Sequence, residues 1–283
     1  MTINCSGQLL DLSEPKIAGI LNITPDSFYD GGKYTSEQSV SKRIKNLIDE
    51  GADIIDVGAF SSRPGAKLIS VKEEKKRLQF ALEIIRKLYP EIILSVDTYR
   101  SETAKFVVNN FNVAVINDIS GGNFDEKMFE TVANLQVPYI IMHMSGTPEN
   151  MQKNPKYNDV VKDLLKFFSK KINQANKIGI NDILIDPGFG FGKTIEHNYQ
   201  ILNKLELFQM TERPIFVGLS RKSMIYKLNN ETPENALPGT LALNMIALQK
   251  GASILRVHDV KETKQVIAVY KKLKHCADSG ENH

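Results

Sequence analysis

The sequence predicts a (β/α)8 barrel, and three observations support this fold class. Eight short apolar runs rich in β-branched residues alternate with eight longer amphipathic segments. Near-continuous apolar strands separated by helices are typical of βαβ units, whose parallel sheet is buried on both faces. The chain has 283 residues, which suits a barrel of roughly 250 residues.

The predicted elements follow one another along the whole chain. The strands are Ile17–Leu21, Ile54–Val57, Ile92–Val96, Val113–Ile116, Tyr139–Met142, Ile183–Ile185, Ile215–Val217 and Ile254–Val257. The helices are Glu37–Glu50, Val71–Leu88, Ser101–Asn109, Asp125–Leu135, Val160–Lys177, His197–Leu205, Leu241–Gln249 and Lys261–Leu273. A doubly wound open sheet needs only about six or seven strand–helix pairs and is the alternative. Because no Pro/Gly-rich linker divides the chain, we predict one domain over residues 1–283, with a frayed polar tail at about 277–283.

Composition and charge argue against several classes of protein. The net charge of +3, with 42% hydrophobic and 24% charged residues, indicates neither a nucleic-acid partner nor an anionic membrane. Cys5 and Cys276 form no metal-ligand spacing and no disulfide framework, as expected in a reducing compartment. The sequence shows no signal-peptide pattern and no apolar run long enough to span a bilayer. We therefore expect a cytoplasmic protein.

Polar residues stand at the ends of the predicted strands. In a closed barrel these ends converge on one face and build the active site. In chain order they include Asn22, Asp56, Asp97, Asn117, His143, Asp186, Lys222, Arg256 and His258. Any one of them can be a helix cap, and His143 alone is expected to be a structural histidine. Asp56 lies inside an apolar strand, so it must be paired or must serve a ligand.

The residue types indicate two kinds of binding. Oxygens of Asp97, Asn117 and Asp186 suit a flat heterocycle that offers several N–H donors, and Lys222 can bind an acceptor on the same ring. Three further side chains are cationic or can become so, and they suit a phosphate or diphosphate: Arg63, Arg256 and His258. The loop at Ser61–Gly65 also suits an oxyanion, although an ordinary type II turn is the alternative.

The glycine-rich run Asp186–Lys193 has the spacing of neither the Walker A motif nor the dinucleotide fingerprint. We interpret it as a tight turn that lets backbone approach a flat ligand, with Phe189 or Phe191 packing on the ligand's face. No catalytic triad order, no metal-binding spacing and no acid–base pair stand out. This pattern favours a reaction driven by positioning and charge stabilisation, such as departure of a diphosphate. Mg²⁺ would be held mainly by substrate phosphates and one protein oxygen, for which Asn22 is the candidate.

These segments resemble those of the dihydropteroate synthase family. The matching stretches span almost the whole chain in the family's order, and the first and sixth are highly specific. They are Gly19–Gly32, Gly51–Gly58 with Ser61–Ala66, Ser95–Thr98, Ile116–Ile119, Met142–Met144, Asp186–Lys193, Ser220–Ser223 and Arg256–Asp259.

The resemblance implies an enzyme that joins 6-hydroxymethyl-7,8-dihydropterin diphosphate to 4-aminobenzoate in an SN1-like, Mg²⁺-assisted reaction. It implies a pterin pocket formed by Asp56, Asp97, Asn117, Met142, Asp186, Phe191 and Lys222. It implies a diphosphate site of Asn22, Arg63, Arg256 and His258, and an aminobenzoate site of Phe28, Ser61, Ser62 and Ser223. Asp30 would stabilise the cation, with Arg63 and Lys222 as the other catalytic residues. A homodimer and competition by sulfonamides are also implied.

One segment departs from the family pattern. The family usually shows Gly-Gly-Glu-Ser-Thr-Arg-Pro, whereas residues 58–64 read Gly-Ala-Phe-Ser-Ser-Arg-Pro, so that Phe60 replaces an acidic residue. Two alternative functions follow. A methyltetrahydrofolate-type methyltransferase domain shares such a pterin pocket but has no use for the cluster of Arg63, Arg256 and His258. A catalytically silent pterin-binding protein is supported only by the altered loop.

Overall fold

Eight parallel strands close into a barrel in the computed structural model, which describes residues 1–23, 37–60, 69–148, 150–151 and 155–278. The barrel strands are β3 (Lys16–Asn22), β4 (Ile54–Gly58), β5 (Ile93–Asp97), β6 (Val115–Asp118), β7 (Tyr139–Met142), β8 (Ile183–Asp186), β9 (Ile215–Val217) and β10 (Ala252–Val257). They follow one another around the barrel in chain order, and β10 pairs with β3 to close it. This order confirms the predicted (β/α)8 fold and excludes the open sheet.

Helices alternate with these strands. The described helices are α1 (Glu37–Asp49), α2 (Val71–Leu88), α3 (Ser101–Phe111), α4 (Met128–Leu135), α5 (Val160–Lys177), α6 (Ile195–Asn203), α7 (Ser223–Tyr226), α8 (Leu237–Gln249) and α9 (Val260–Asp278). Each predicted helix is present within a few residues, whereas the short α7 was not predicted. No helix in the described part of the chain is long and apolar enough to cross a membrane. Within the predicted tail, residues 279–283 lie outside the described residues.

Burial on both faces explains the apolar strands, and side-chain caps explain where two long helices begin. Every residue of β4 and β5 is buried, because one face lines the barrel interior and the other packs under the helices. The long helices have capped starts: the side chain of Ser70 accepts the Glu73 amide at α2, and that of Asp159 accepts two amides at α5.

An antiparallel hairpin of β1 (Thr2–Cys5) and β2 (Gln8–Asp11) precedes the barrel. Its apolar side chains Ile3, Cys5 and Leu10 form one buried cluster with residues from the barrel strands. The hairpin was not predicted, because each of its strands has only four residues and little apolar patterning. Its polar neighbours stay exposed, so it contributes packing and no site chemistry.

The strand register places several of the predicted site residues at the same height along the barrel axis. Asn22 pairs with Gly58, Gly58 pairs with Asp97, and Asp97 pairs with Asn117 across four neighbouring strands. On the opposite wall, Met142 pairs with Asp186. The predicted polar residues therefore share one rim of the barrel, at the carboxyl ends of its strands.

Candidate active site

Two buried acceptor oxygens at this rim have no hydrogen-bond partner among the described residues. They are Asp97 Oδ1 at the end of β5 and Asn117 Oδ1 on the neighbouring β6. The Asn117 amide is oriented by Asp56, because its Nδ2 donates to both carboxylate oxygens, at 3.4 and 3.3 Å. An unpaired buried polar atom costs about 1–3 kcal/mol. The pair is thus arranged to accept N–H groups from a ligand.

Asp56 is fully buried beneath this pair and is itself satisfied. Ser95 Oγ donates to its Oδ1 at 2.6 Å, and Arg256 Nε donates to its Oδ2 at 2.6 Å. The expectation that Asp56 must be paired or serve a ligand is met by pairing. Ser95 was missed by the sequence reasoning, although it stands two residues before Asp97 and therefore shares its face of the strand.

Arg256 connects the two carboxylates, since its Nη2 also donates to Asp97 Oδ2 at 3.2 Å. Burial alone would lower the pKa of Arg256, but the charges of Asp56 and Asp97 raise it. The predicted anion-binding arginine therefore forms ion pairs with carboxylates of the predicted pterin pocket.

Asp186 and Lys222 occupy the opposite side of the rim. Asp186 ends β8, and its Oδ1 accepts the Gly188 amide at 2.7 Å. The Lys222 ammonium lies 4.2 Å from the centroid of the Phe191 ring. Phe191 belongs to an apolar cluster with Met142, which also contains Ile119, Met144 and Met151. The Asp186 carboxylate, the Lys222 ammonium and the apolar cluster around Phe191 therefore lie on the same side of the rim, as the sequence predicted.

Three ionisable groups of this rim have pKa values shifted towards neutral pH. Burial raises the pKa of Asp97 to about 7 and that of Asp186 to about 6. Burial, followed by the charge of Arg256, lowers the pKa of Lys222 to about 8. Shifts of this size in a cluster of facing groups are typical of functional sites.

His258 follows β10, and its side chain is neutral. Burial first, and then the charge of Arg256, lower its pKa to about 3. The Ser220 hydroxyl oxygen accepts the His258 backbone N–H at 3.2 Å and lies 3.0 Å from His258 Nδ1. With the Ser220 proton donated to Nδ1, the imidazole proton resides on Nε2. The ring is therefore a neutral N–H donor.

An ion pair joins the loops after β9 and β10. Arg221 has the left-handed φ of +56° and binds both oxygens of Asp259 with its Nε and Nη2, at 3.0 and 2.5 Å. Its backbone N–H donates to Thr240 Oγ1 at 3.1 Å. The sequence analysis did not predict this ion pair. Together with the hydrogen bond to Thr240, it fixes the turn from which Lys222 projects.

The glycine-rich run serves packing between loops more than approach to a ligand. Gly188 and Gly192 have positive φ values, and a Cβ would lie 2.1 Å from the His143 carbonyl oxygen at the first and 2.4 Å from that of Ser145 at the second. Phe189 points into the main hydrophobic core, whereas Phe191 lies at the rim. These contacts give the two glycines a packing reason, and the packing of Phe191 on a ligand's face stays a prediction.

Asn22 is half-buried at the end of β3. A Cβ at Gly58 would lie 3.2 Å from Asn22 Oδ1, so the missing side chain leaves room beside this oxygen. The described residues contain no group of three or more His, Cys, Asp or Glu able to hold a metal. One amide oxygen fits a Mg²⁺ ion whose remaining ligands are phosphate and water.

The other predicted site residues divide into two groups. Ser223 is partly exposed and opens α7 directly after Lys222. Phe28, Asp30, Ser61, Ser62 and Arg63 lie outside the described residues. Phe60, at the edge of this gap, packs edge-on against Tyr99 with ring centroids 5.3 Å apart.

Known proteins that resemble this chain bind pterins, in agreement with the geometry of the rim. Residues 18–258 match the model of the family described as pterin binding enzyme. The dihydropteroate synthase of Escherichia coli K12 is 42% identical over 271 residues, covering 95% of either chain. The dihydropteroate synthase of Yersinia pestis, solved with a sulfonamide drug, has a TM-score of 0.91 and 38% identity, covering 97% of this chain and all of that one.

The Xanthomonas albilineans dihydropteroate synthase, solved in complex with 7,8-dihydropteroate, has a TM-score of 0.87 at 35% identity. It covers 97% of this chain and 99% of that one. Family match, identity and coverage lead to one conclusion. The chain belongs to the pterin-binding enzyme family, among the transferases of its dihydropteroate synthase branch.

Proposed function

We propose that this transferase uses the rim of β5, β6 and β8 to hold the pterin ring of 6-hydroxymethyl-7,8-dihydropterin diphosphate. The unpaired oxygens of Asp97 and Asn117 are the observation that carries the assignment. A pterin edge offers ring and amino N–H groups that would complete both acceptors and reach Asp186. Lys222 would donate to an acceptor on the same ring, which would lie against Met142 and Phe191.

The diphosphate would extend towards β3 and β10. His258 would offer its Nε2–H, and Arg256 would turn from Asp97 once the pterin supplies replacement donors. Arg63 and Asn22 complete the proposed diphosphate site. Asn22 would hold a Mg²⁺ ion through its amide oxygen, and the bound ion would supply charge neutralisation for the departing diphosphate.

In the proposed reaction, the diphosphate would leave before the amine of 4-aminobenzoate attacks. The methylene C–O bond of the pterin breaks, and its electron pair leaves with the diphosphate. The nearby carboxylates Asp97 and Asp186, with Asp30, would stabilise the resulting methylene-pterin cation electrostatically. The neutral amine of 4-aminobenzoate then forms the C–N bond and loses a proton. Phe28, Ser61, Ser62 and Ser223 would orient this second substrate, and Arg63 and Lys222 would assist the departure.

The deciding assay supplies the purified protein with pterin diphosphate, 4-aminobenzoate and Mg²⁺. Release of diphosphate and formation of 7,8-dihydropteroate in equal amounts is the expected result. Binding of the pterin diphosphate without either product would support the catalytically silent alternative and overturn the proposal. Omitting 4-aminobenzoate is the control, because product formation must then stop.

We also propose that sulfonamides compete with 4-aminobenzoate here, as suggested by the sulfonamide complex of the Yersinia pestis relative. Kinetics at several aminobenzoate concentrations test this point. An apparent inhibition constant that does not rise with the aminobenzoate concentration would contradict it. A cytoplasmic location remains part of the proposal, and it is supported by the two free cysteines, Cys5 and Cys276.

A homodimer formed through α8 and α9 completes the proposal. These helices contact each other and present exposed apolar side chains: Ile246 on α8 is 37% exposed, and Val269 and Leu273 on α9 are 53% and 54% exposed. Exposed apolar groups on adjacent helices suit a second copy of the chain. Sedimentation of wild type and Val269→Glu tests this: we expect a dimer and a monomer, and two identical profiles would reject this interface.

A further inference from the structure

We infer that Lys193 is a positioning residue for the pterin site, acting through the loop of residues 188–192. The inference rests on the proposed function, because it concerns how the same pterin pocket is held in shape. Lys193 is only 3% exposed, and its ammonium forms no salt bridge with a described carboxylate. Lys193 belongs to neither a Walker A motif nor a dinucleotide fingerprint, and the proposed reaction gives it no role.

The Lys193 ammonium is surrounded by acceptors. Its Nζ donates to the Gly188 carbonyl at 2.9 Å, the Phe191 carbonyl at 3.0 Å and the His143 carbonyl at 3.1 Å. It also lies 3.1 Å from His143 Nδ1. An ammonium has three N–H donors in total, so the three carbonyls and His143 Nδ1 together offer enough acceptors to satisfy all of them inside the protein. Lys193 therefore closes its own loop and ties it to the end of β7.

The burial and packing of His143 suit its contact with Lys193. It is 9% exposed, and burial followed by the charge of Lys193 lowers its pKa to about 2. The ring is thus neutral, and Nδ1 can accept from Lys193. Phe167 packs edge-on against the ring with centroids 4.9 Å apart, and Tyr157 lies on another side at 6.0 Å. The structural histidine expected from the sequence is therefore the partner of a buried lysine.

The pinned loop carries pterin-site groups on its opposite face. Its first residue, Gly188, donates its amide to Asp186 Oδ1, and Phe191 underlies the ammonium of Lys222 at 4.2 Å. Tyr157 Oη donates to the Gly192 carbonyl at 2.8 Å and holds the loop's far end. Displacing the loop would therefore move one carboxylate, one aromatic face and the support of one cation together. Loss of one charge-assisted hydrogen bond to the pterin corresponds to about tenfold to about a hundredfold in Kd.

Lys193→Met tests this role by removing the ammonium while retaining an apolar chain of similar length. The probe is 6-hydroxymethylpterin, whose fluorescence is easily followed because the protein contains no Trp. We expect its Kd to rise about tenfold to about a hundredfold. At saturating pterin diphosphate, the KM for 4-aminobenzoate should stay within about twofold of wild type, which general misfolding would not allow.

Two further variants keep the inference testable if Lys193→Met folds poorly. His143→Asn retains an acceptor near the Nδ1 position, whereas His143→Leu removes it, so only the leucine variant should weaken pterin binding. Lys171→Met is the matched control, because Lys171 is a buried lysine that binds Asn123 and two aromatic rings outside this loop. Its pterin Kd should equal that of wild type.

The outcomes separate this inference from the proposed function. If wild type does not bind 6-hydroxymethylpterin, the proposed pterin site itself is wrong. If wild type binds and Lys193→Met or His143→Leu binds equally well, the positioning role is wrong. Equal weakening by Lys171→Met would also overturn it, because loss of any buried ammonium would then have the same effect.

Discussion

Replacing Asp97 with asparagine should make the protein's stability less dependent on pH while destroying its pterin site. Burial raises the pKa of Asp97 from 3.8 to about 7. Between about pH 5 and about pH 7 the unfolded chain carries the ionised group, whereas the folded protein keeps it protonated. A raised folded pKa means that stability is lost as pH rises through it. At about 1.4 kcal/mol for each pH unit, wild type should lose roughly 3 kcal/mol relative to Asp97→Asn over this range.

Urea denaturation of both proteins at several pH values between about 5 and about 8 measures this difference. The difference in unfolding free energy should shift in favour of Asp97→Asn as pH rises, while 6-hydroxymethylpterin binding is lost. Parallel stability curves for the two proteins would refute the reasoning. They would mean that Asp97 has compensating partners and is no open acceptor.

Asp118→Asn is the matched control for this experiment. Asp118 is also fully buried on β6, but both of its oxygens accept hydrogen bonds, from Ser120, Gly122 and Tyr139. An amide cannot accept this complete set, so Asp118→Asn should be less stable than wild type throughout the pH range. Contrasting effects of one substitution at two buried aspartates would identify the unsatisfied one as the ligand site.

Three further predictions concern the reaction. Lys222→Ala should raise the KM for pterin diphosphate about tenfold to about a hundredfold, because a partly buried charged donor is lost; a fall in kcat alone would contradict this role. For wild type, kcat/KM for pterin diphosphate should rise with pH as Asp186 (about 6) and Asp97 (about 7) ionise, and fall above about 8 as Lys222 loses its proton. A pH-independent value would contradict these pKa shifts. Removing Mg²⁺ with EDTA should slow diphosphate release and leave 6-hydroxymethylpterin binding unchanged; equal activity with and without the ion would remove Mg²⁺ from the reaction.

The barrel itself was predictable from the sequence. Buried parallel strands must be apolar along their whole length, and this signal is local, so runs such as Tyr139–Met142 and Ile215–Val217 were located without error. The segments that were missed lack such a signal. The hairpin at Thr2–Asp11 and the four-residue α7 acquire their structure from packing against the finished barrel.

The rim residues were predictable because strand ends are identifiable and converge in a closed barrel. Their partners were less so, since a hydrogen bond between distant residues leaves no local pattern. Arg256 and Asp56 stand 200 positions apart, and Lys193 and His143 stand 50 apart. Reading Arg256 and His258 as anion ligands correctly identified residues of the rim. It could not reveal that one rests on two carboxylates and that the other is neutral.

The incomplete pairing at the rim is informative because the layer beneath it is complete. Asp56 has Ser95, Asn117 and Arg256 as donors, although burying a carboxylate so deeply is costly. Asp97, in the next layer, has one oxygen without a donor in the described part of the chain, and so does Asn117. A barrel stabilised for folding alone would gain about 1–3 kcal/mol by satisfying each of these atoms. Since the fold satisfies Asp56 in full and leaves its neighbours open, the missing donors are best supplied by a ligand, and a pterin edge has the N–H groups to do so.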